Sequence, residues 1–198
     1  MRFGVVLLAA GESSRLGRPK QLLPYEGSTL VGHAARVALD SSAEEVVVVL
    51  GASAVEVREA LGDLPVRTVV NESFPEGMGG SIRVGVGALE GLSREPRRHG
   101  DTEGLDGAIV TLVDQPRVTS EHLKSLVAGL GDASIVASSY DGVLGAPCAF
   151  RREEFPALLA LKGDVGARAF LRGEAVVSVP FAGGQFDIDT PEDASRLQ

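Results

Sequence analysis

The chain has 198 residues, which suits one compact α/β domain and is too short for two full ones. Hydrophobic residues make up 44% of it, enough for a sizeable core, but Trp is absent, so Val, Leu, Ile and Ala must supply most of that core. The net charge of −8 argues against a nucleic-acid-binding protein, the lone cysteine Cys148 excludes an intramolecular disulfide, and the sequence contains no apolar run long enough to span a membrane.

Segments typical of strands and helices alternate along the chain, beginning with the apolar strand Val5–Leu8. Because the apolar stretch around this strand lacks the length and cleavage site of a signal peptide, we expect a cytoplasmic protein. The next elements are predicted to be a helix from Leu30 with Ser28 or Thr29 as its N-cap, a strand at 46–50, a helix at 54–61, a strand at 66–70 and a helix from 78 to about 89. The remaining ones are a strand at 108–113, a helix built on 123–130, a strand at 134–137, a hairpin around 142–147, short helices at 153–161 and 165–171, a strand at 176–179 and a helix from 191.

This alternation predicts an α/β fold with a doubly wound, mostly parallel sheet of Rossmann-like architecture. The segment 92–105 is polar, charged and without apolar periodicity, so we expect a flexible surface loop within one domain that spans 1–198. Ligands of doubly wound sheets bind beyond the carboxyl ends of the strands. The site should therefore be built from 9–20, 71–81 and 114–116, each of which follows a predicted strand.

The loop after the first strand carries the strongest functional pattern, LAAGESSRLGRPKQLLP. The small residues Ala9, Ala10 and Gly11 would let backbone N–H groups approach a phosphate closely. Arg15 and Lys20 add two cations to the same loop, and we interpret both as catalytic residues that hold phosphate. The loop is neither a Walker A sequence nor a G-x-G-x-x-G dinucleotide fingerprint. An ordinary glycine turn with two exposed cations is the alternative, and the combination favours phosphate binding.

Three aspartates are candidate metal ligands. Asp114 follows a strand directly, where a carboxylate can bind Mg²⁺ together with substrate phosphates. Asp187 and Asp189 are two residues apart and would project to one side of an extended segment. The alternative for this second pair is a purely structural one, since Thr190 and Pro191 suit the start of a helix.

Taken together, these motifs resemble those of the MobA-like nucleotidyltransferases, and among them most closely the molybdenum cofactor cytidylyltransferases of the MocA type. The first loop is similar to the family signature L-A-A-G-x-S-x-R-x-G-x-x-K. The resemblance continues along nearly the whole chain, through Asn71, EGMGGS at 76–81, DQP at 114–116, GAP at 145–147, GDVGAR at 163–168 and DIDTPED at 187–193.

The resemblance implies transfer of CMP from CTP to the phosphate of molybdopterin, with Mg²⁺ as the cofactor and pyrophosphate as the second product. CTP rather than GTP is implied by Leu-Ala-Ala-Gly where the guanylyltransferases have Leu-Ala-Gly-Gly. Arg15 and Lys20 would hold the triphosphate, and Asp114 and Asp189, in preference to Asp187, would hold the metal. A molybdenum hydroxylase is the implied client, and neither a nucleic acid nor a membrane is an expected partner.

The resemblance also implies contacts for the two substrates. Gly79, Gly80 and Ser81 would contact the nucleobase, although Ser81 could instead only cap the helix that begins there. The acceptor side would be formed by Gly145, Pro147, Asp164 and Arg168, where the guanidinium suits a phosphate. For the last two residues the alternative is a corner between helices.

Two other functions stay open. One is cytidylylation of a sugar or polyol phosphate, since the Pro-Lys-Gln of the first loop is similar in such enzymes. The other is a non-catalytic protein that binds the molybdenum cofactor and delivers it to a client. The histidines do not form a site in the sequence, because none has metal-ligand spacing with another or with Cys148.

Overall fold

A seven-stranded sheet organises the computed structural model, which describes residues 1–94, 104–131, 133–163, 166, 170–171 and 176–197. A separate two-stranded hairpin lies between the first strand of the sheet and the first helix. The strands in chain order are β1 (Phe3–Ala9), β2 (Pro24–Tyr25), β3 (Ser28–Thr29), β4 (Glu45–Leu50), β5 (Arg67–Val70), β6 (Gly107–Leu112), β7 (Ile135–Tyr140), β8 (Val143–Arg151) and β9 (Val176–Pro180).

The order of strands in the large sheet is β5-β4-β1-β6-β8-β7-β9. The strand β1 pairs in parallel with β4 on one side and β6 on the other. The strand β8 runs antiparallel to both of its neighbours, β6 and β7, while β9 pairs in parallel with β7. The prediction of a doubly wound, mostly parallel sheet is therefore confirmed.

Helices cover both faces of this sheet, and threonine side chains begin three of them. Thr29 accepts a hydrogen bond from the backbone N–H of Gly32, so it, and not Ser28, is the N-cap of the first helix. Thr119 caps another helix in the same way, and Thr190 forms a reciprocal capping box with Asp193. The helices are α1 (Leu30–Asp40), α2 (Ala54–Leu61), α3 (Met78–Arg94), α4 (Ser120–Gly129), α5 (Phe155–Leu159) and α6 (Pro191–Ser195).

The core has two halves, one on each face of the sheet. Alternate side chains of β1 enter opposite halves, so that Leu7 packs with α1, α2 and α4, while Val6 packs with α3 and α5. All seven residues of β1 are buried, as expected for a parallel strand covered on both faces. Gly85 lets α3 lie directly on the sheet, because a side chain there would collide with Val6 and Val49.

Several predicted boundaries differ from the structure. The helix α3 continues past Leu89 to Arg94, into a segment whose sequence has no apolar periodicity. The predicted helix at 153–161 is a 3₁₀ turn (Arg152–Glu154) followed by the short α5. Leu105, at the end of the expected loop 92–105, is 2% exposed and packs in the core. Residues 95–103 and most of the predicted helix 165–171 lie outside the described residues.

Among the helices in the described part of the chain, none has the length and apolarity that crossing a lipid bilayer requires.

Candidate active site at the carboxyl edge of the sheet

The loop between β1 and β2 folds back on itself around Ser13. The backbone of Ser13 is left-handed, with φ of 56°, and its carbonyl accepts hydrogen bonds from the N–H groups of Leu16 and Gly17 at 3.0 and 3.1 Å. Its hydroxyl accepts a third bond, from the backbone N–H of Lys20 at 3.0 Å. Ser13 therefore fixes both the conformation of the turn and the position of the Lys20 backbone at the end of the loop.

Gln21 holds the two ends of the loop's first turn. Its side chain is fully buried, and its Nε2 donates to the carbonyl oxygens of Ala9 at 2.9 Å and Gly11 at 2.8 Å. These are the backbone positions at which the sequence predicts an approach to phosphate. Gln21 thus fixes the conformation of the predicted phosphate-binding backbone without lying on its surface.

Lys20 joins two of the three candidate metal ligands. Its Nζ lies 2.5 Å from Oδ2 of Asp114 and 2.8 Å from Oδ1 of Asp189. The Lys20 side chain is only 12% exposed, so these are partly buried ion pairs with restricted access to water. The guanidinium of Arg15 lies at a longer distance, 3.7 Å, from Oδ2 of Asp189 and is itself mostly exposed.

A backbone contact brings the C-terminal aspartates to Asp114. The N–H of Ile188 donates to the carbonyl oxygen of Asp114 at 2.9 Å, and the Ile188 side chain is fully buried in the core. Because neighbouring side chains of an extended segment point to opposite sides, Asp187 and Asp189 face away from that core. The carboxylates of Asp114 and Asp189 then meet at Lys20.

The charges in this cluster shift two pKa values. Burial alone would lower the pKa of Lys20, but the charges and hydrogen bonds of Asp114 and Asp189 outweigh it and raise that pKa above its usual value. Burial, followed by the negative charge of Asp114, raises the pKa of Asp187 to about 6, against the opposing effect of the nearby Gln115 amide. Lys20 is therefore held as a cation, while Asp187 carries an unusually basic carboxylate.

The cluster fits a hard divalent cation that is shared with substrate. Asp114 Oδ1 and Asp187 Oδ1 are buried and lack hydrogen-bond partners, and such oxygens are suitable ligands for Mg²⁺ or Mn²⁺. Among the described residues, however, no three His, Cys, Asp or Glu side chains are arranged to enclose a metal ion. Two carboxylates and the phosphates of a substrate would together complete the coordination that Mg²⁺ prefers.

A pocket of about 420 Å³ opens beside this cluster. The predicted residues Ala10, Gly11, Lys20 and Asp114 are among those that line it. It is also lined by the apolar residues Phe74, Pro75 and Met78, which lie in the predicted segment 71–81, and by Leu112 and Val113, which the sequence did not single out. A cavity lined by apolar side chains and by the ammonium of Lys20 suits a nucleotide, whose base is flat and whose phosphates are charged.

The predicted base contacts at the start of α3 differ in their accessibility. Ser81 lines the pocket, whereas Gly79 and Gly80 are buried behind the lining, as is Ala9. The N–H of Gly79 already donates to the carbonyl oxygen of Gly163 at 3.0 Å. Of these positions, only Ser81 presents a side chain to the pocket.

The predicted acceptor residues fall into two groups. Gly145 and Pro147 are buried in β8, and a side chain at Gly145 would collide with the Tyr140 hydroxyl. The half-exposed Ala146 between them accepts a hydrogen bond from Gln115 Nε2 at 3.3 Å, which joins this segment to the loop that carries Asp114. The other two predicted acceptor residues, Asp164 and Arg168, lie outside the described residues.

Comparison with known families decides the classification of the chain. Residues 5–179 match the model of the MobA-like NTP transferase domain. The chain belongs to the MobA-like NTP transferase family. The match spans β1 to β9 and includes Lys20 and Asp114, while Asp189 lies beyond it.

Two relatives match this MobA-like chain over nearly its whole length. Nicotine blue oxidoreductase from Paenarthrobacter nicotinovorans is 35% identical, and the alignment covers 97% of this chain and 94% of that protein. The purine catabolism protein PucB from Bacillus subtilis is 33% identical, with 98% and 94% covered. Their names describe different processes, so the family is common to them while the named activity is not.

Solved structures agree with this assignment. Rv0371c from Mycobacterium tuberculosis is 31% identical, with a TM-score of 0.78 over 100% of this chain and 98% of that one. The same protein has been solved in complex with manganese, at 30% identity, a TM-score of 0.78 and the same coverage. A similar protein with this fold has therefore been seen with a divalent cation, manganese.

Within this MobA-like site, sequence reasoning missed mainly the residues that position others. Gln21 was noted only as part of a resemblance, although a buried Gln directly after a candidate phosphate-binding lysine was a usable signal. Phe74, Pro75 and Met78 lie in the predicted segment 71–81, but their individual contacts with the pocket were not predicted, because these depend on how β5 and α3 are arranged. His122 forms no metal site, and its Nε2 lies 2.7 Å from Oγ of Ser138.

Proposed function

We propose that the protein transfers CMP from CTP to the phosphate of molybdopterin, releases pyrophosphate and uses Mg²⁺ in the cytoplasm. The observation that carries this proposal is the position of Lys20 between Asp114 and Asp189 beside a nucleotide-sized pocket. One ammonium and two carboxylates at that place suit a reaction in which two phosphate groups must be brought together.

The reaction joins an oxygen of the acceptor phosphate to the α-phosphorus of CTP. The bond from that phosphorus to the oxygen shared with the β-phosphate breaks, and pyrophosphate leaves with the electron pair. The acceptor phosphate is ionised near neutral pH, so the reaction requires no general base. Catalysis then depends on positioning and on neutralising charge.

Each residue has a defined role in this scheme. The loop backbone at Ala10 and Gly11 binds phosphate, and Arg15 and Lys20 neutralise the charge that spreads over the phosphate oxygens. When bound, Mg²⁺ would add Lewis-acid polarisation of the α-phosphate, and Asp114 and Asp189 are the residues that would hold it. Asp187, whose Oδ1 is buried and unpartnered, is the third candidate ligand beside them.

The choice of donor and acceptor rests on motifs. Leu-Ala-Ala-Gly in the first loop favours CTP over GTP, and the GAP and GDVGAR motifs favour the molybdenum cofactor as acceptor, with a molybdenum hydroxylase as client. Gly145, Pro147, Asp164 and Arg168 are the proposed acceptor residues. A sugar or polyol phosphate acceptor, and a non-catalytic delivery protein, are the alternatives that an assay must separate.

Release of pyrophosphate tests the proposal directly. The protein is incubated with Mg²⁺ and CTP, GTP, ATP or UTP, with and without molybdopterin that carries molybdenum. We expect release with CTP only when the pterin is present. Release with CTP and a polyol phosphate, but not with the pterin, would move the acceptor to the alternative class. Binding of the pterin without any release would support delivery.

Two pairs of variants sharpen this assay. Lys20→Met removes the bridging ammonium, whereas Arg18→Ala removes an exposed cation from the same loop and serves as its control. Asp189→Asn removes the proposed metal ligand, whereas Asp187→Asn removes the neighbouring carboxylate. We expect release to fall about a hundredfold or more for Lys20→Met and Asp189→Asn. Equal activity of Lys20→Met and Arg18→Ala would contradict the role assigned to Lys20.

A further inference from the structure

We propose that Asn71 holds the Ser81 hydroxyl so that its proton stays available as a donor to the bound nucleotide. The inference rests on the proposed function, because it takes the pocket of about 420 Å³ as the nucleotide site. It assigns a role to Asn71, which does not line that pocket.

The orientation of the Asn71 amide is determined by its surroundings. Asn71 follows β5 and is 3% exposed, and its backbone N–H is bonded to the carbonyl of Leu50 at 2.8 Å. Its side-chain Oδ1 accepts a hydrogen bond from the backbone N–H of Ser73 at 3.1 Å. Because a backbone N–H can only donate, the amide oxygen must face Ser73 and the amide NH₂ must face the other way.

That NH₂ group determines what Ser81 can do. Asn71 Nδ2 donates to Ser81 Oγ at 3.0 Å, so one lone pair of the serine hydroxyl is occupied. A hydroxyl has one proton to donate, and it cannot donate that proton back to an NH₂ group. Within the described residues, Ser81 has no other side-chain hydrogen bond. Its proton is therefore free to point into the pocket, which Ser81 lines while being 5% exposed.

The pocket consequently offers a hydrogen-bond donor at this point. A carbonyl oxygen or an unprotonated ring nitrogen of a base can accept from Ser81, whereas an exocyclic amino group or a ring N–H cannot. In a cytosine base, O2 and N3 are atoms of the accepted kind. If Ser81 lost this free proton, a buried acceptor atom of the nucleotide would have no partner, and such a loss weakens binding.

Replacing the Asn71 amide by a carboxylate turns the Ser81 proton away from the pocket without changing the shape of the side chain at position 71. In Asn71→Asp, one oxygen still accepts from Ser73 and the other accepts the hydroxyl proton of Ser81. The serine then presents a lone pair to the pocket, opposite an acceptor atom of CTP. In Asn71→Ala the hydroxyl loses its partner but can still turn its proton toward the nucleotide.

The test is calorimetric titration of CTP with Mg²⁺ into the intact wild-type chain and its variants. We expect Asn71→Asp to weaken CTP binding about tenfold or more, and Asn71→Ala to weaken it only by a factor of about three. Ser81→Ala should weaken it about fivefold. Adding Asn71→Asp to Ser81→Ala should cause no further loss, because no hydroxyl is left to turn.

Several outcomes overturn the inference. A purely structural role for Asn71 predicts that the truncation Asn71→Ala is worse than the isosteric Asn71→Asp. Simple repulsion between a new carboxylate and the triphosphate predicts that the losses add in the double variant. If Asn71→Asp does not fold, a double-mutant cycle of Asn71→Ala and Ser81→Ala replaces it. Losses of CTP affinity that add in the double variant would again contradict the inference.

The same titration separates the two proposals. If the wild-type chain binds CTP and the variants bind it equally well, only the role of Asn71 fails. If the wild-type chain binds no nucleotide at all, the proposed function fails and this inference fails with it.

Discussion

The ammonium of Lys20 lies 2.5 Å from a carboxylate oxygen of Asp114, although the two residues are 94 positions apart in the sequence. The same ammonium reaches Asp189, and all three side chains line the pocket or lie next to it. In the absence of a metal, Lys20 thus supplies the positive charge that keeps two neighbouring carboxylates together. A divalent cation that arrives with a nucleotide would compete with Lys20 for the charge of the same carboxylates.

Removal of this ammonium should make metal binding independent of nucleotide. In Lys20→Met, Asp114 and Asp189 repel each other, and a divalent cation is the group that can relieve the repulsion. We expect Mn²⁺ without nucleotide to raise the melting temperature of Lys20→Met more than that of the wild type, since a ligand that binds the folded state stabilises it. Arg18→Ala, which leaves the carboxylates paired, should respond like the wild type. A smaller Mn²⁺ response in Lys20→Met than in the wild type would contradict this.

Gln21→Glu should loosen the phosphate-binding loop. The substitution keeps the shape of the side chain but replaces the donor to Ala9 and Gly11 by an oxygen that faces two carbonyl oxygens. Loss of these bonds at a fully buried position should cost about 1–3 kcal/mol of unfolding free energy. Urea denaturation measures this cost, and CTP titration measures the accompanying loss of affinity. Unchanged stability together with unchanged CTP affinity would show that Gln21 does not hold the loop.

His122 should make the fold less stable in acid. Its ring stacks on Phe181 and contacts Ser138, and burial lowers its pKa below 6.5. The unfolded chain therefore binds a proton at a higher pH than the folded chain does, so stability falls as the pH drops from about 6.5 toward the folded pKa. We expect His122→Gln to reduce the difference in unfolding free energy between pH 7.5 and pH 5. An unaltered difference would mean that other groups cause it.

Gly145→Ala tests how tightly β7 and β8 are packed beside the proposed acceptor side. An added methyl group would collide with the Tyr140 ring and hydroxyl. Overpacking of this kind costs about 1–3 kcal/mol. We expect a lower melting temperature for Gly145→Ala, and partial recovery when Tyr140→Leu is added. Gly142→Ala at the exposed turn is not a suitable control, because its φ of 73° disfavours a side chain, but Gly131→Ala is open and should be nearly neutral.

The order of elements was predictable because parallel strands buried on both faces form continuous apolar runs, such as that of β4. The positions of Asp114 and Asp189 were also predictable, since strand ends and helix starts carry local signals. The pairing of Lys20 with both carboxylates was not, because it depends on distances between segments far apart in the chain. The extension of α3 to Arg94 was missed because the sequence there has no apolar period to mark a helix.

Tertiary hydrogen bonds explain the rest of what the sequence left open. The amide of Gln21 and that of Asn71 each act across a distance of ten or more positions, and neither residue type indicates its partner. The apolar wall of the pocket likewise combines Phe74 with Leu112 from opposite sides of β1. Such contacts depend on the order of the strands in the sheet, which the sequence alone does not give.

The hydrogen bond from Ile188 N–H to the carbonyl of Asp114 also has a consequence for biosynthesis. Lys20 and Asp114 emerge from the ribosome long before Asp189, which follows the last strand of the sheet. Until that late segment docks, Lys20 has only one of its two carboxylates, and the proposed metal position has only one ligand. The nascent chain is therefore expected to acquire its affinity for divalent cations only after the segment that carries Asp189 has left the ribosome and docked beside Asp114.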